Sequence, residues 1–241
     1  MGWLVGLPVH GAWAFVPPGY DELADSYLGL RAWRATSGRE VFMLAGSAAA
    51  WHLGYLDREP TGPTNIWLPA NVRVPDGLRN RVSAVHLGFG RDDVTRLAPI
   101  RQLLLRRKLD IVAWSDRLPA FGPEALLVQL AARPSSFYPW ADLLGHLESI
   151  VDDCDDARLS MLLANQSVAA WQRTAYLLHC GGRPQRGTEL LHARSSRTVQ
   201  NKMPKTTFEH PLVDSHDHVW VPEYQLVDRL VAPLRAAIGK A

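Results

Sequence analysis

Four apolar stripes with helical spacing follow one another between residues 123 and 178, and they constrain the fold more than any other feature. Each stripe recurs at intervals of three and four residues, the period of an α-helix with one buried face. A proline is tolerated in the first turn of a helix, and Asp or Ser accepts hydrogen bonds from the unpaired amide groups there. The sequence therefore predicts four packed helices, which begin at Pro123, Pro139, Asp155 and Ser167.

Short runs typical of strands lie on both sides of these helices. Strands are predicted at 41–45, 64–68, 82–87, 110–114 and 217–221, with short helices at 48–53 and 99–108. Ser47 is the expected N-cap of the helix at 48–53, and Gly54 is expected to end it. A last helix is predicted from about Glu223, kinked at Pro233. These patterns predict an α+β fold, in which a small mixed β-sheet packs with several helices.

The first twenty residues have the pattern of a β-hairpin. Trp13 and Phe15 are two residues apart and share one face of a strand. His10 and Gly11 form the expected turn, and the proline at 17 ends the second strand. We expect two antiparallel strands within 3–17, with Trp13 and Phe15 partly buried against the rest of the chain. Residues 21–40 are expected to be a connector with one short helix.

Composition excludes several classes of protein. The chain has 241 residues, of which 47% are apolar and nine are Trp, so it is expected to fold around a sizeable core. Two cysteines fit neither a disulfide framework nor a paired-cysteine zinc site. The sequence shows no apolar run of the roughly 18–20 residues that a membrane helix needs and no secretory signal. A cytoplasmic protein without a cofactor is therefore expected.

Charge is distributed unevenly along the chain. Residues 1–108 contain 13 basic and 9 acidic side chains, residues 109–160 contain 3 and 9, and residues 161–241 contain 10 and 6. This acidic middle, between two basic flanks, is either a dipolar surface with different partners on opposite faces or an unevenly charged solvated surface.

A basic segment between 183 and 205 is the main candidate for nucleic-acid binding. Its side chains either contact phosphates or lie in a solvated loop. A second group at 106–108 ends a predicted helix, where cations also suit the helix dipole. His10, at the hairpin turn, completes the set of candidate residues. The set is Arg183, Arg186, Arg194, Arg197, Lys202, Lys205, Arg106, Arg107, Lys108 and His10.

Signals for catalysis are weak, and no catalytic residue or metal ligand is assigned. Carboxylates on both sides of Cys154 suit a helix junction better than a cation site. His216 and His218 would share one face of a strand and could bind a metal, or they lie in a polar loop. The remaining potential ligands of these two clusters are Asp152, Asp153, Asp155, Asp156, Glu209, His210, Asp214 and Asp217.

Long stretches of the chain resemble one protein family. The opening GWLVGLPVHGAWAFVPPG resembles the wing hairpin that closes a winged-helix DNA-binding domain. The segments FMLAGSAAAWHLGYLDREPTGPTNIWLPANVRVP, LDIVAWSDRLPAFGPEALLVQLAARPSSF and WVPEYQLVDRLVAPLRAAIGKA are similar to the C-terminal domain of AbiEi antitoxins. That resemblance implies an N-terminal winged helix that binds operator DNA and a C-terminal α+β domain. The implied toxin is a nucleotidyltransferase-like protein encoded by the adjacent gene.

The resemblance divides the chain into a wing hairpin at 1–20, a connector at 21–40 and an AbiEi-like α+β domain at 41–241. The helices of the winged helix would lie before Met1, so DNA binding is expected to be weak or absent. We expect a monomeric, non-enzymatic antitoxin or repressor-type protein with the toxin as partner, operator DNA as a second candidate partner, and no membrane. Two alternatives remain open: a metal-dependent nucleic-acid enzyme that uses His216 and His218, and an interaction domain that has lost its DNA-binding half.

Overall fold

The strands of the protein form small separate sheets, and its helices form most of the core. The structure, a computed structural model, describes residues 3–20, 25–37, 41–69, 72–88, 118–195, 203–213 and 217–239. Within these residues one two-stranded and two three-stranded sheets combine with α-helices. The predicted α+β fold is therefore confirmed. The helix predicted at 99–108 and the strand predicted at 110–114 lie outside the described residues.

The N-terminal hairpin forms where the sequence predicts it. Strand β1 (Trp3–Gly6) pairs with β2 (Trp13–Val16) in antiparallel register. Two backbone hydrogen bonds close the turn, from Leu7 N to Ala12 O at 3.0 Å and from Ala12 N to Val9 O at 3.1 Å. Gly11 lies in the turn with φ of +74°, a conformation that favours glycine.

The face of the hairpin that packs on the protein is the opposite of the one predicted. Trp13 and Phe15 do share a face, but their exposed fractions are 67% and 58%. Ala14 and Val16 are buried instead. These small side chains, with Val5, line a cavity of about 170 Å³ between the hairpin and the start of the next helix. Small residues permit a close approach of two elements that the two aromatic rings would prevent.

A three-stranded mixed sheet follows the first helix, α1 (Leu28–Ser37). Strand β4 (Thr64–Trp67) lies in its centre, antiparallel to β3 (Met43–Leu44) and parallel to β5 (Val82–Val85). All three strands lie within the predicted ranges.

Helix α2 (Gly46–His52) lies next to this sheet and begins earlier than predicted. Ser47 is not its N-cap, because the Ser47 hydroxyl donates to Oδ1 of Asn65 at 2.7 Å and Ser47 lies inside the helix. Gly54 follows the helix with φ of +78°, consistent with the predicted end.

The second half of the protein is a helical assembly built around α3 (Pro123–Ala132). This helix is buried on every side, including Glu124 and Gln129, at 1% and 0% exposed. The helix predicted from Pro139 is two helices, α4 (Trp140–Leu144) and α5 (Leu147–Asp153). The chain turns at Gly145 and His146, which lets both Leu143 and Leu147 reach the core.

The next two helices have the predicted caps. Helix α6 (Asp156–Leu163) is capped by Asp155, which accepts a hydrogen bond from Arg158 N at 2.9 Å. Helix α7 (Val168–Cys180) is capped by Ser167, which accepts from Ala170 N at 3.2 Å. Asp and Ser satisfy otherwise unpaired amide groups in this way, which explains why the sequence identifies both helix starts.

The last part of the chain differs most from the prediction. Helix α8 (Pro184–Ser195) occupies part of the basic segment, for which a solvated loop was one of the two interpretations. Strand β8 (Leu226–Asp228) lies where the sequence predicts a helix, and it pairs with β6 (Thr206–Phe208) on one side and β7 (Val219–Val221) on the other.

Helix α9 (Val231–Ile238) starts later than predicted, so Pro233 lies in its first turn. A proline there removes only an amide that has no helical partner, so the reason for the predicted kink does not apply.

Two clusters of buried side chains form the core. The larger one surrounds α3 and includes Phe137, Trp140 and Phe208. The smaller one lies under the hairpin and includes Trp33, Phe42 and Ile66.

Among the described residues, no helix is long and apolar enough to cross a bilayer.

Candidate functional site

The junction between α5 and α6 brings the predicted acidic cluster together with part of the predicted basic segment. Helix α5 ends at Asp153 and α6 begins at Asp156, so four carboxylates lie within five residues. Arg183 and Arg186, at the start of α8, reach them from the other side. We call these six side chains the charged junction: Asp152, Asp153, Asp155, Asp156, Arg183 and Arg186.

Glycines place α8 against the junction. Gly182 has φ of +82° and turns the chain between α7 and α8. A Cβ atom on Gly181 would lie only 2.6 Å from Cγ2 of Val151, so this position accepts no larger side chain without a shift of the helix. Gly181 and Gly182 therefore set the direction from which Arg183 and Arg186 approach α5.

Arg186 is the more deeply embedded of the two cations. Its Nη2 atom lies 2.6 Å from Oδ1 of Asp156, and its guanidinium also donates to the carbonyls of Val151 at 2.7 Å and Cys154 at 2.8 Å. These carbonyls belong to the last turn of α5 and the residue after it, where cations suit the helix dipole. The hydrogen bond to Asp156 raises the pKa of Arg186 above its usual value.

Each carboxylate of the charged junction has a partner. Arg183 Nη2 contacts Asp152 Oδ2 at 2.6 Å, and the Tyr55 hydroxyl donates to Asp153 Oδ2 at 2.6 Å. Asp155 caps α6, and Asp156 binds Arg186. Carboxylates that already accept hydrogen bonds or form ion pairs are poor ligands for a hard cation. This arrangement favours the helix-junction interpretation over a metal site.

A buried ion pair lies beneath the charged junction. Oε1 of Glu124 accepts a hydrogen bond from Asp155 N at 2.9 Å and lies 3.7 Å from Nη1 of Arg158. Glu124 is only 1% exposed, so this carboxylate fixes the junction to the central helix α3. A buried charge needs such partners to offset its lost hydration.

Three of the other predicted nucleic-acid-binding residues are described by the structure, and they lie on different elements. Arg194 lies half-buried near the end of α8. Lys205 lies over the Trp220 ring, with Nζ 5.3 Å from the ring centroid. His10 is exposed at the hairpin turn. Arg106, Arg107, Lys108, Arg197 and Lys202 lie outside the described residues.

The histidine cluster is only partly described, because Asp214 and His216 lie outside the described residues. His210 is 4% exposed, and its Nδ1 accepts a hydrogen bond from Leu212 N at 3.2 Å. Burial lowers the pKa of His210. The described residues contain no group of three or more His, Cys, Asp or Glu side chains arranged to hold a metal ion.

Sequence reasoning missed the most heavily bonded carboxylate of the protein's C-terminal part, Asp228. This fully buried residue accepts from the backbone amides of Leu230, Val231 and Ala232 at 2.7–2.9 Å, and from the Tyr176 hydroxyl at 2.7 Å. Burial, together with the charge of Asp228, raises the pKa of Tyr176. An Asp side chain often accepts from the amides two and three residues later, but the assumption that a helix starts near Glu223 concealed this signal.

These observations define an α+β protein in which the charged side chains of one helix junction form a helix cap and ion pairs. Residues 41–180 match the model of the AbiEi antitoxin C-terminal domain. That match covers more than half of the sequence, so the chain belongs to the AbiEi antitoxin family.

A solved structure resembles almost the whole chain. The RV2827C protein from Mycobacterium tuberculosis is 54% identical and superposes with a TM-score of 0.84. The similarity covers 98% of this chain and 79% of that chain. No match was found among curated proteins. The fold of the matched region is therefore shared from the hairpin to the C-terminal helix.

Proposed function

We propose that this chain is the antitoxin of a toxin–antitoxin pair and opposes a nucleotidyltransferase-like toxin without a reaction of its own. The observation that carries the proposal is the AbiEi match over residues 41–180, which spans the sheet β3–β4–β5 and helices α2 to α7. The polar groups of the charged junction support the same view. They are used in helix caps and ion pairs, whereas catalysis needs an acid, a base and a nucleophile that converge on one point.

We propose direct contact between the toxin and the charged junction. The side chains of Asp152, Asp156 and Glu148 remain 45%, 56% and 71% exposed although arginines lie beside them. Exposed carboxylates can accept further hydrogen bonds from a basic partner, and complementary charge raises the rate of encounter.

Repression through operator DNA is the second part of the family's implied role. We expect only weak DNA binding here, because residues 3–16 contain no Lys or Arg and Arg183 and Arg186 are ion-paired.

Co-expression with the toxin encoded by the neighbouring gene tests the antitoxin function. The toxin is expressed from an unrelated promoter, so that repression of the operon cannot produce the rescue. The wild-type chain is expected to restore growth of the toxin-inhibited strain. Absence of rescue by a folded wild-type chain contradicts the proposal.

Charge reversal tests the contact surface. The double variant Asp152→Lys, Asp156→Lys is expected to lose rescue and toxin binding, whereas Glu223→Lys, an exposed carboxylate elsewhere, is expected to keep both. Asp155 stays unchanged, because loss of a helix cap costs about 1 kcal/mol by itself. Thermal melting confirms that each variant is folded. Full rescue by the double variant means that the toxin is opposed through another surface or without contact.

A further inference from the structure

A polar cleft of about 520 Å³ opens where strands β4 and β5 begin. Asn65 on β4 and Ser83 on β5 are partners in the parallel register, so both side chains lie on the face of the sheet that lines the cleft. The loop before β4 and helix α4 form the other walls. Small-molecule sites have volumes of about 300–1,000 Å³, so the cleft is large enough for one. The side chains of its lining used below are Ser47, Arg58, Asn65, Tyr138 and Asp142.

Asn65 brings an unused hydrogen-bond donor to this cleft. The residue is only 4% exposed, and its Oδ1 accepts from Ser47 Oγ at 2.7 Å and from Ser47 N at 3.2 Å. A backbone amide only donates, so these bonds identify Oδ1 as the oxygen and Nδ2 as the nitrogen. Nδ2 has no hydrogen-bond partner within the described part of the chain. Because buried polar groups are normally bonded, this donor favours a ligand that carries an acceptor.

The start of helix α2 beside Asn65 is not itself the binding group. Gly46 N donates to Gln129 Oε1 at 2.8 Å, and Ser47 N donates to Asn65. Both amides are therefore already bonded by side chains of the protein, and neither is free to bind an anion. Recognition in the cleft depends on its side chains instead.

Tyr138 forms an aromatic wall of the cleft. Its side chain is 66% exposed, whereas His210 behind it is 4% exposed. The two rings meet nearly at right angles, with centroids 5.8 Å apart and planes at 81°. This contact holds the Tyr138 ring while most of its surface stays accessible. An exposed ring in a fixed position is a surface on which a planar group such as a nucleobase stacks.

Arg58 and Asp142 bring opposite charges to the same cleft. Both are exposed, and neither forms an ion pair with another described residue. The planar guanidinium of arginine suits the oxygens of a phosphate. A carboxylate accepts hydrogen bonds from the hydroxyl groups of a ribose. Together with the aromatic ring and the amide donor, these two charges match the phosphate, ribose and base of one nucleotide.

We propose that this cleft binds a mononucleotide, either free or at the end of an RNA strand. The base stacks on Tyr138, and one of its acceptor atoms takes the hydrogen bond from Nδ2 of Asn65. The ribose hydroxyls donate to Asp142, and Arg58 binds the phosphate. The proposal does not depend on the antitoxin function, which needs no small ligand.

Calorimetric titration of the full chain with AMP, CMP, GMP and UMP measures this binding. We expect a dissociation constant of about 1 mM or lower for at least one of the four. Inorganic phosphate, which lacks base and ribose, is expected to bind at least about tenfold more weakly, because it cannot stack. A 5′-phosphorylated RNA trinucleotide distinguishes the two sources, since it binds as well as the free nucleotide only if the cleft accepts the end of a strand.

Variants of the lining assign the binding to the cleft. Asn65→Asp keeps an acceptor for Ser47 but loses the donor, so it is expected to weaken binding at least about tenfold. Arg58→Gln and Tyr138→Leu are each expected to weaken it about five- to tenfold. Tyr20→Leu is the matched control, because Tyr20 is also 66% exposed but lies outside the cleft. Thermal melting shows which variants are folded, and the two changes at exposed side chains test the site even if Asn65→Asp does not fold.

Three results would overturn the proposal. One is the absence of binding by all four nucleotides up to about 5 mM. Another is nucleotide binding that both Arg58→Gln and Tyr138→Leu leave unchanged, because the nucleotide then binds elsewhere. The third is inorganic phosphate that binds as tightly as the nucleotides, because the cleft then recognises only an anion.

Discussion

Helix α3 and the N-terminal hairpin have equally apolar sequences but differ in what covers them. Leu126 on α3 is 0% exposed, whereas Leu4 on β1 is 70% exposed. Helices α2, α5, α6 and α7 surround α3, while the described residues bury only Ala14 and Val16 of the two hairpin strands. The comparison teaches that an apolar pattern identifies a face that needs cover, but the number of neighbouring layers decides whether the face is buried.

Leucine truncation should give the largest difference between the two regions. Leu126→Ala is expected to reduce the free energy of unfolding by about 2–5 kcal/mol, because it removes buried contacts and leaves a cavity. Leu4→Ala is expected to change it by less than about 0.5 kcal/mol, because the side chain is mostly in water already. Urea unfolding measures both values. Similar losses in the two variants would mean that Leu4 is buried in the folded protein.

The charged junction allows a finer comparison between two arginines, Arg183 just before α8 and Arg186 in its first turn. Arg186→Ala is expected to cost about 1–3 kcal/mol, because Asp156 and the carbonyls of Val151 and Cys154 lose a charged donor. Arg183→Ala should cost less than about 1 kcal/mol, because its partners Asp152 and Glu148 are exposed to solvent. Thermal melting of both variants at low and high salt is the measurement. Equal losses would show that the buried carbonyl contacts of Arg186 contribute nothing beyond an exposed ion pair.

The last comparison concerns pH and His52, whose ring lies against Tyr27 of the smaller core cluster. Burial, with the charge of Arg31, lowers the pKa of His52 to about 4. The unfolded chain binds a proton near pH 6.5, while folded His52 stays neutral down to about pH 4. Stability from this residue is therefore complete above pH 6.5 and is lost as the pH falls towards 4.

Melting temperatures between pH 7 and pH 4 test this assignment. The wild type should lose a few degrees more than His52→Gln over that interval. His10→Gln, a change of an exposed histidine at the hairpin turn, should behave like the wild type. An identical pH profile for wild type and His52→Gln would exclude His52 as the source of the dependence.

Local signals made much of the fold predictable. Pro123, Asp155 and Ser167 identified three helix starts, and the alternation around His10 and Gly11 identified the hairpin. The prediction was wrong where a residue acts through a distant partner. Ser47 bonds to Asn65, 18 residues away, instead of capping a helix. In the candidate site, the sequence indicated which side chains are charged, but not that Arg183 and Arg186 pair with Asp152 and Asp156.

The sequence by itself determined which segments are helices or strands wherever a cap, a turn or an apolar period was present, because those signals act over a few residues. Similarity over long segments also determined the family. The tertiary structure alone decided which face of the hairpin is buried, since Ala14 and Val16 fit closely against the protein where Trp13 and Phe15 do not. It also decided that opposite charges some 30 residues apart neutralise each other at one helix junction, because their pairing depends on the turn at Gly181 and Gly182.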